Sequence, residues 1–224
     1  MKNIFIVIAA YNEEKKISIV LKELLKRYEN IVVVDDGSSD RTYDLARKQK
    51  VSVLRHIINR GQGAALKTGI DYALLNGAEI IVTYDADGQF LVKEIETVIN
   101  PVIENKADIT LGSRFLGEAV NIPRLKKIVL KLGIYVVYFL YGLKITDSQC
   151  GFRALSKKAA LKIEIRSDRM DHAAEFFSEI MKKNLRYKEV PVTVIYDQYS
   201  LKKGQDWTAS IHLGLKMLFK RFMT

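Results

Sequence analysis

The sequence predicts an α/β fold, with a mostly parallel central sheet flanked by helices and an amphipathic helical extension at its C-terminal end. Three observations predict it. Short runs rich in Ile and Val recur through the first half of the 224-residue chain. Segments with apolar residues at helical spacing separate them. The runs are apolar throughout rather than alternating, as strands buried on both faces require. With 48% apolar side chains, the chain can fill one continuous core.

In order, strands are expected at residues 4–9, 31–34, 51–54, 79–84 and 107–111, and helices at 13–27, 39–48, 61–75 and 91–104. From Asn121 the pattern changes. Residues 122–143 read as one long helix or two short ones, basic at the start and apolar later. A loop over 147–152, a helix over 171–184 and a strand over 187–196 follow. Residues 206–222 place Trp207, Ile211, Leu215, Leu218 and Phe222 on one helical stripe, with His212, Lys216 and Lys220 on another. Such a helix either lies in a membrane interface or packs on its own domain. The expected organisation is one domain over residues 1–205, with halves at 1–119 and 120–205, followed by an amphipathic helix over 206–224.

The formal net charge of +10 is unevenly placed. Residues 1–119 hold 16 Lys and Arg against 17 Asp and Glu, whereas residues 120–224 hold 20 against 9. The second half therefore favours an anionic surface, nucleic acid or the negative face of a membrane, unless the charge is only solubilising. Cys150 is the sole cysteine, so no intrachain disulfide can form and a reducing compartment is expected. The opening apolar run is too short for a signal peptide, and the longest uncharged stretch, twelve residues over 132–143, is too short to span a bilayer.

Polar clusters follow the expected strands, at the carboxyl ends where ligands bind in such sheets. After the fourth strand come Asp85-Ala86-Asp87-Gly88-Gln89, alternate carboxylates and an amide that offer hard oxygen ligands to Mg²⁺ or Mn²⁺. The competing reading is a carboxylate capping the next helix. After the second strand, Asp35-Asp36-Gly37-Ser38-Ser39-Asp40 either accepts hydrogen bonds from a base or ribose or forms an ordinary strand-to-helix turn, in which Ser39 or Asp40 caps the helix. Asn59-Arg60-Gly61-Gln62-Gly63 either cradles a phosphate or packs a helix closely on the sheet.

Taken together, the ordered series YNE, DDGSSD, NRGxGAA, DADGQ, GSR, DSQCGFR and EVPV resembles family-two glycosyltransferases of the GT-A (nucleotide-diphospho-sugar transferase) fold. It is most similar to their dolichyl-phosphate mannose synthase and polyprenyl-phosphate glucosyltransferase branch. The resemblance runs from Ile4 to about Lys203. It implies a nucleotide-binding half over residues 1–119 and an acceptor-binding half over 120–205. Ala9, Tyr11, Glu13, Asp36, Asp85, Ala86 and Asp87 would bind the nucleotide sugar. Asp87, Gln89 and Asp85 would hold Mg²⁺ or Mn²⁺, and Asp85, Asp87 and Arg114 would carry the catalysis. Arg114, Arg124, Lys127, Lys202 and Lys203 would meet phosphate, and Asp147, Gln149, Gly151, Phe152 and Arg153 would form the loop closing the sugar pocket.

The implied reaction is metal-dependent, inverting transfer of a hexose from GDP-mannose or UDP-glucose to a polyprenyl or dolichyl phosphate. An acceptor that is already an ionised phosphate needs no general base. The implied location is the cytoplasmic face of a membrane, held peripherally, either directly or through a separate membrane-anchor protein. No nucleic acid is expected as partner. The sequence departs from the branch at residues 201–207, where Lys202 and Lys203 stand in place of an Arg and the usual Ser-Lys is absent. Two alternatives stay open: a same-fold transferase to a glycan, lipid hydroxyl or protein, and a non-catalytic basic scaffold.

Overall fold

A computed structural model of the protein describes residues 2–166 and 172–203. Seven strands form one sheet: β1 (Ile4–Ala10), β2 (Ile31–Asp35), β3 (Ser52–Arg55), β4 (Ile80–Asp85), β5 (Ile109–Val120), β6 (Arg153–Ser156) and β7 (Tyr187–Ile195). Their order across the sheet is β3-β2-β1-β4-β6-β5-β7. All neighbours are parallel except β6, which runs antiparallel between β4 and β5.

Because side chains alternate along a strand, each strand feeds two cores. Ile6, Ile8, Val33 and Val82 face one side, where α1 (Ile17–Leu25), α2 (Thr42–Arg47) and α4 (Ile95–Ile103) cover them. Phe5, Val7, Val32, Val34 and Ile81 face the other, beneath α3 (Gln62–Leu75), α5 (Arg124–Tyr141), α6 (Lys157–Lys162) and α7 (His172–Lys182). A short α8 (Gln198–Lys203) follows β7.

The first four strands fall where the apolar runs place them. The fifth does not stop at residue 111 but continues to Val120. Residues 122–143 form one helix, α5, ending at Gly142 in the left-handed conformation. Helix α1 begins at Ile17, four residues later than the expected start, because residues 11–16 form the turn that enters the site. A single 3₁₀ turn, Val92–Glu94, replaces the expected start of α4. Strand β6 and helices α6 and α8 were not expected. The amphipathic segment 206–224 lies outside the described residues.

Candidate active site

The carboxyl ends of β1, β2 and β4 open into a cavity of about 580 Å³. Ala9, Tyr11 and Glu13 enter it from the β1 end, Asp36 from the β2 end, and Asp85, Ala86, Asp87 and Gln89 from the β4 end. Arg114, Lys126, Gln149, Gly151 and Arg153 line it from the second half of the chain.

On the β2 side, Asp36 organises the neighbouring loop. Its buried carboxylate accepts hydrogen bonds from the amides of Arg60 (3.0 Å) and Gly61 (2.6 Å), and His56 Nδ1 lies 2.7 Å from Oδ1. Thr68 Oγ1 holds the other imidazole nitrogen at 3.0 Å. Gly37, at φ +70°, is required here, since a Cβ would stand 2.7 Å from the Ile58 carbonyl carbon. Neither Ser39 nor Asp40 is the cap of α2, since Arg41 holds that position, but Asp40 accepts the Thr42 amide at 2.9 Å from the turn before it. Thr42 in turn accepts the Glu13 amide at 2.6 Å, so the first two motifs are bound together. From the far end of the chain, the Tyr199 hydroxyl donates to Glu13 Oε2 at 2.9 Å, and Lys16 pairs with Asp197 at 2.6 Å.

The β4 side meets the inverted strand. Because β6 is antiparallel, its amino end, Arg153, pairs with Thr83 and brings residues 149–152 beside Asp85. Thr83 Oγ1 donates to the Gly151 carbonyl at 2.6 Å, and a Cβ on Gly151 would stand 2.9 Å from Asp85 Oδ2. Burial pushes the Asp85 carboxyl up to about 6, against the opposing pull of the Arg153 and Arg114 guanidiniums. Burial also lowers the Arg153 guanidinium, which stacks 4.4 Å over the Phe176 ring and donates to the Cys150 carbonyl at 3.1 Å.

Arg114 begins an irregularity in the β5–β7 ladder, where the register steps from Ser113 opposite Pro191 to Glu118 opposite Thr193. Such bulges re-aim side chains next to functional sites. Here the guanidinium turns inward and is buried. Arg114 Nε donates to Asp147 Oδ2 at 2.6 Å, and Nη1 bonds to the Tyr196 hydroxyl. Lys126 sits 4.9 Å over the Tyr196 ring, its ammonium pushed down by burial and by the Arg114 charge. The cavity is therefore lined both by the carboxylates of Glu13, Asp36, Asp85 and Asp87 and by the cations Arg114, Lys126 and Arg153.

Most of the residues singled out in the sequence converge here, whereas Phe152, Asp147, Arg124 and Lys127 do not line the cavity. Phe152 is fully buried, stacked 4.9 Å from Phe90 and edge-on to Tyr84, and belongs to the core rather than to the sugar-pocket loop. Asp147 does not line the cavity but anchors Arg114. Arg124 and Lys127 project outward from α5, and Lys126 takes the inward place, because successive helical residues point about 100° apart. Lys202 and Lys203 end α8, with side chains outside those described. Sequence reasoning missed His56, Lys126, Tyr196, Tyr199 and Glu189, the last of which accepts the Thr146 and Asp147 amides and so sets the loop before β6. Cys150 is buried, its thiol pushed up to about 12 by desolvation, and is part of the core.

Among the described residues, no three His, Cys, Asp or Glu side chains converge, so a cation bound at this cavity would complete its shell with ligand oxygens and water. No helix among them is long and apolar enough to cross a membrane.

Comparison with known proteins gives concordant results. The family model described as Glycosyl transferase family 2 matches residues 5–163. An uncharacterized protein of Methanocaldococcus jannaschii is 46% identical over 98% of this chain and 91% of its own length. A protein of Methanococcus voltae named UDP-N-acetylglucosamine–dolichyl-phosphate N-acetylglucosaminyltransferase is 36% identical over 99% of this chain and 96% of its own. Among solved structures, glucosyl-3-phosphoglycerate synthase of Mycobacterium tuberculosis, in complex with Mg²⁺ and uridine diphosphate, matches with a TM-score of 0.70 at 15% identity. That match covers 96% of this chain and 79% of that one, and it supports the fold alone.

Proposed function

This chain belongs to glycosyl transferase family 2, and from that premise we propose that it moves a hexose from a nucleotide diphosphate sugar to a polyprenyl or dolichyl phosphate. The observation that carries the reading is one cavity lined both by carboxylates, Asp85 among them, and by the buried guanidiniums of Arg114 and Arg153. Two anions, the donor diphosphate and the acceptor phosphate, must be brought together for such a transfer, and buried guanidiniums with Lys126 supply the charge that makes this possible. The relatives' names support the acceptor class: the Methanococcus voltae protein, the polyprenol monophosphomannose synthase of Mycolicibacterium smegmatis and the mouse dolichyl-phosphate β-glucosyltransferase are all named for lipid phosphates. A UDP-sugar is the first donor to test, because the relative matching nearly the whole chain is named for UDP-N-acetylglucosamine. UDP-glucose and GDP-mannose follow.

In the proposed reaction an oxygen of the acceptor phosphate attacks the anomeric carbon, the bond from that carbon to the diphosphate breaks, and configuration inverts. The acceptor arrives ionised, so no side chain needs to remove a proton. Glu13 and Asp36 hold the nucleoside end, Arg114 and Lys126 hold the incoming phosphate, and Arg153 and Gly151 shape the sugar subsite. Asp85, Asp87 and Gln89 fit a divalent cation in donor chemistry. Gln89 Nε2 is buried with no hydrogen-bond partner among the described residues, and a half-turn of that amide would turn its carbonyl oxygen to the same place. Bound Mg²⁺ or Mn²⁺ would neutralise charge on the departing diphosphate.

The test supplies purified protein with the three donors, polyprenyl phosphate in detergent, and either Mg²⁺, Mn²⁺ or a chelator. Transfer to the lipid phosphate is expected, lost on chelation and reduced about 100-fold or more in Asp87→Ala. No product with any donor would sink the reading.

A further inference from the structure

Helix α5 is apolar on two faces, and among the described residues only one of them is covered. Leu130, Val137 and Leu140 are buried in the domain. On the opposite side Leu125, Ile128, Leu132, Tyr135 and Phe139 recur at alternating spacings of three and four and form one continuous stripe, each between 49% and 71% exposed. A stripe of this length on a helix surface ordinarily meets a partner.

We propose that this outer face of α5 docks on an anionic lipid bilayer, with the helix lying in the plane of the interface. Charge selects the occupant. Positions 119–146 hold five Lys and Arg and no Asp or Glu. On α5 itself, Arg124, Lys127 and Lys131 are exposed and, at about 100° per residue, flank one edge of the stripe. Lysines there extend to phosphate headgroups while the apolar stripe enters the acyl boundary. A second copy meeting the same face with the two helices parallel would set these cations against each other with no carboxylate on the helix to offset them. The aromatic residues Tyr135, Tyr138 and Phe139, all more than half exposed, sit at the far end of the helix, and such rings favour the headgroup level. Lys126 near the start of the same helix lines the cavity, so docking through α5 would bring the cavity to the bilayer surface. This deepens the acceptor reading and rests on it for the substrate that such a surface would reach.

The experiment uses the full chain and two readouts: partitioning onto vesicles of phosphatidylcholine with or without 30% phosphatidylglycerol, and transfer to a short, water-soluble prenyl phosphate. The double substitution Ile128→Glu with Leu132→Glu should lower partitioning about tenfold or more while leaving transfer to the soluble acceptor unchanged. Lys131→Gln should lower partitioning about fivefold on the anionic vesicles only. Because Cys150 is buried, Leu132→Cys can be labelled selectively with an environment-sensitive dye, whose emission should shift to the blue on anionic vesicles. Tyr135→Ser serves as a milder variant if the double substitution lowers the melting temperature. Equal vesicle binding by the variants and the parent, or an unshifted dye, would overturn the proposal. So would a parent that sediments as a dimer and becomes a monomer in Leu132→Glu, since the stripe would then join two copies. If the parent docks through α5 yet transfers to no prenyl phosphate, the docking stands and the acceptor reading falls.

Discussion

A methyl group added at Gly151 would stand 2.9 and 3.0 Å from the two oxygens of Asp85, closer than carbon and oxygen tolerate. The backbone there is held by Thr83 at 2.6 Å, so it is the carboxylate that must move. Gly151→Ala is therefore expected to cost about 100-fold in turnover, as sub-ångström misplacement of a site group does, with a melting temperature close to the parent's. Steady-state kinetics beside a thermal melt would check both halves. Tyr199 acts at a distance in sequence: its hydroxyl donates to Glu13 at 2.9 Å. Tyr199→Phe removes one hydrogen bond, about 1 kcal/mol, and should raise the donor KM about fivefold while leaving kcat near the parent value. A fall in kcat with KM unchanged would contradict that role. Asp85, Asp87 and Glu13 were legible in the sequence because each falls within three residues of the end of an apolar run. Tyr196 and Tyr199 were not, since an aromatic at the end of a strand or in a short helix reads as core, and only tertiary structure sets them beside Arg114 and Glu13.

The β5–β7 ladder begins at a staple between Asp108 and Arg186. The carboxylate accepts the Arg186 amide at 3.0 Å and two guanidinium nitrogens at 3.2 and 3.1 Å, with Lys158 at 3.4 Å. The Arg186 hydrogen bonds draw the Asp108 carboxyl down to about 2, below its unfolded value near 3.8. A carboxyl depressed on folding stabilises the native state above its unfolded pKa, and that contribution disappears as pH falls from about 4 towards 2. Asp108→Asn should cost about 1–2 kcal/mol at pH 7, discounted for the half-exposed Arg186, and much less near pH 2. Urea melts at both pH values would measure the difference. The elements themselves were unevenly legible. Apolar periodicity located β1 to β4 because buried parallel strands are apolar throughout. It missed β6, whose four residues, Arg153-Ala154-Leu155-Ser156, are too few to carry a period and begin with a charge. It also ended β5 early, because beyond Leu111 the strand turns polar while still buried, carrying Arg114 into the cavity.

At the scale of the whole molecule, the two halves suggested by the charge distribution share one sheet: the first supplies β1 to β5, and the second supplies β6 and β7, which lie on either side of β5. The alternation of strand and helix made the parallel character of the sheet legible, but the order of its second half was not. That order depends on β6 entering backwards between β4 and β5, and no local pattern announces it. This entry has a consequence for how the chain emerges during synthesis. The place between β4 and β5 is filled only once residue 156 has been made, so until then β4 has one flank unpaired, with the apolar stretch Ile80 to Val82 at its start. A nascent chain ending near residue 120 would possess five of the seven strands and still present an open seam through its middle. Expressed alone, residues 1–120 should therefore recruit one another through that seam and precipitate, whereas the full chain, which closes it with its own later residues, should remain dispersed.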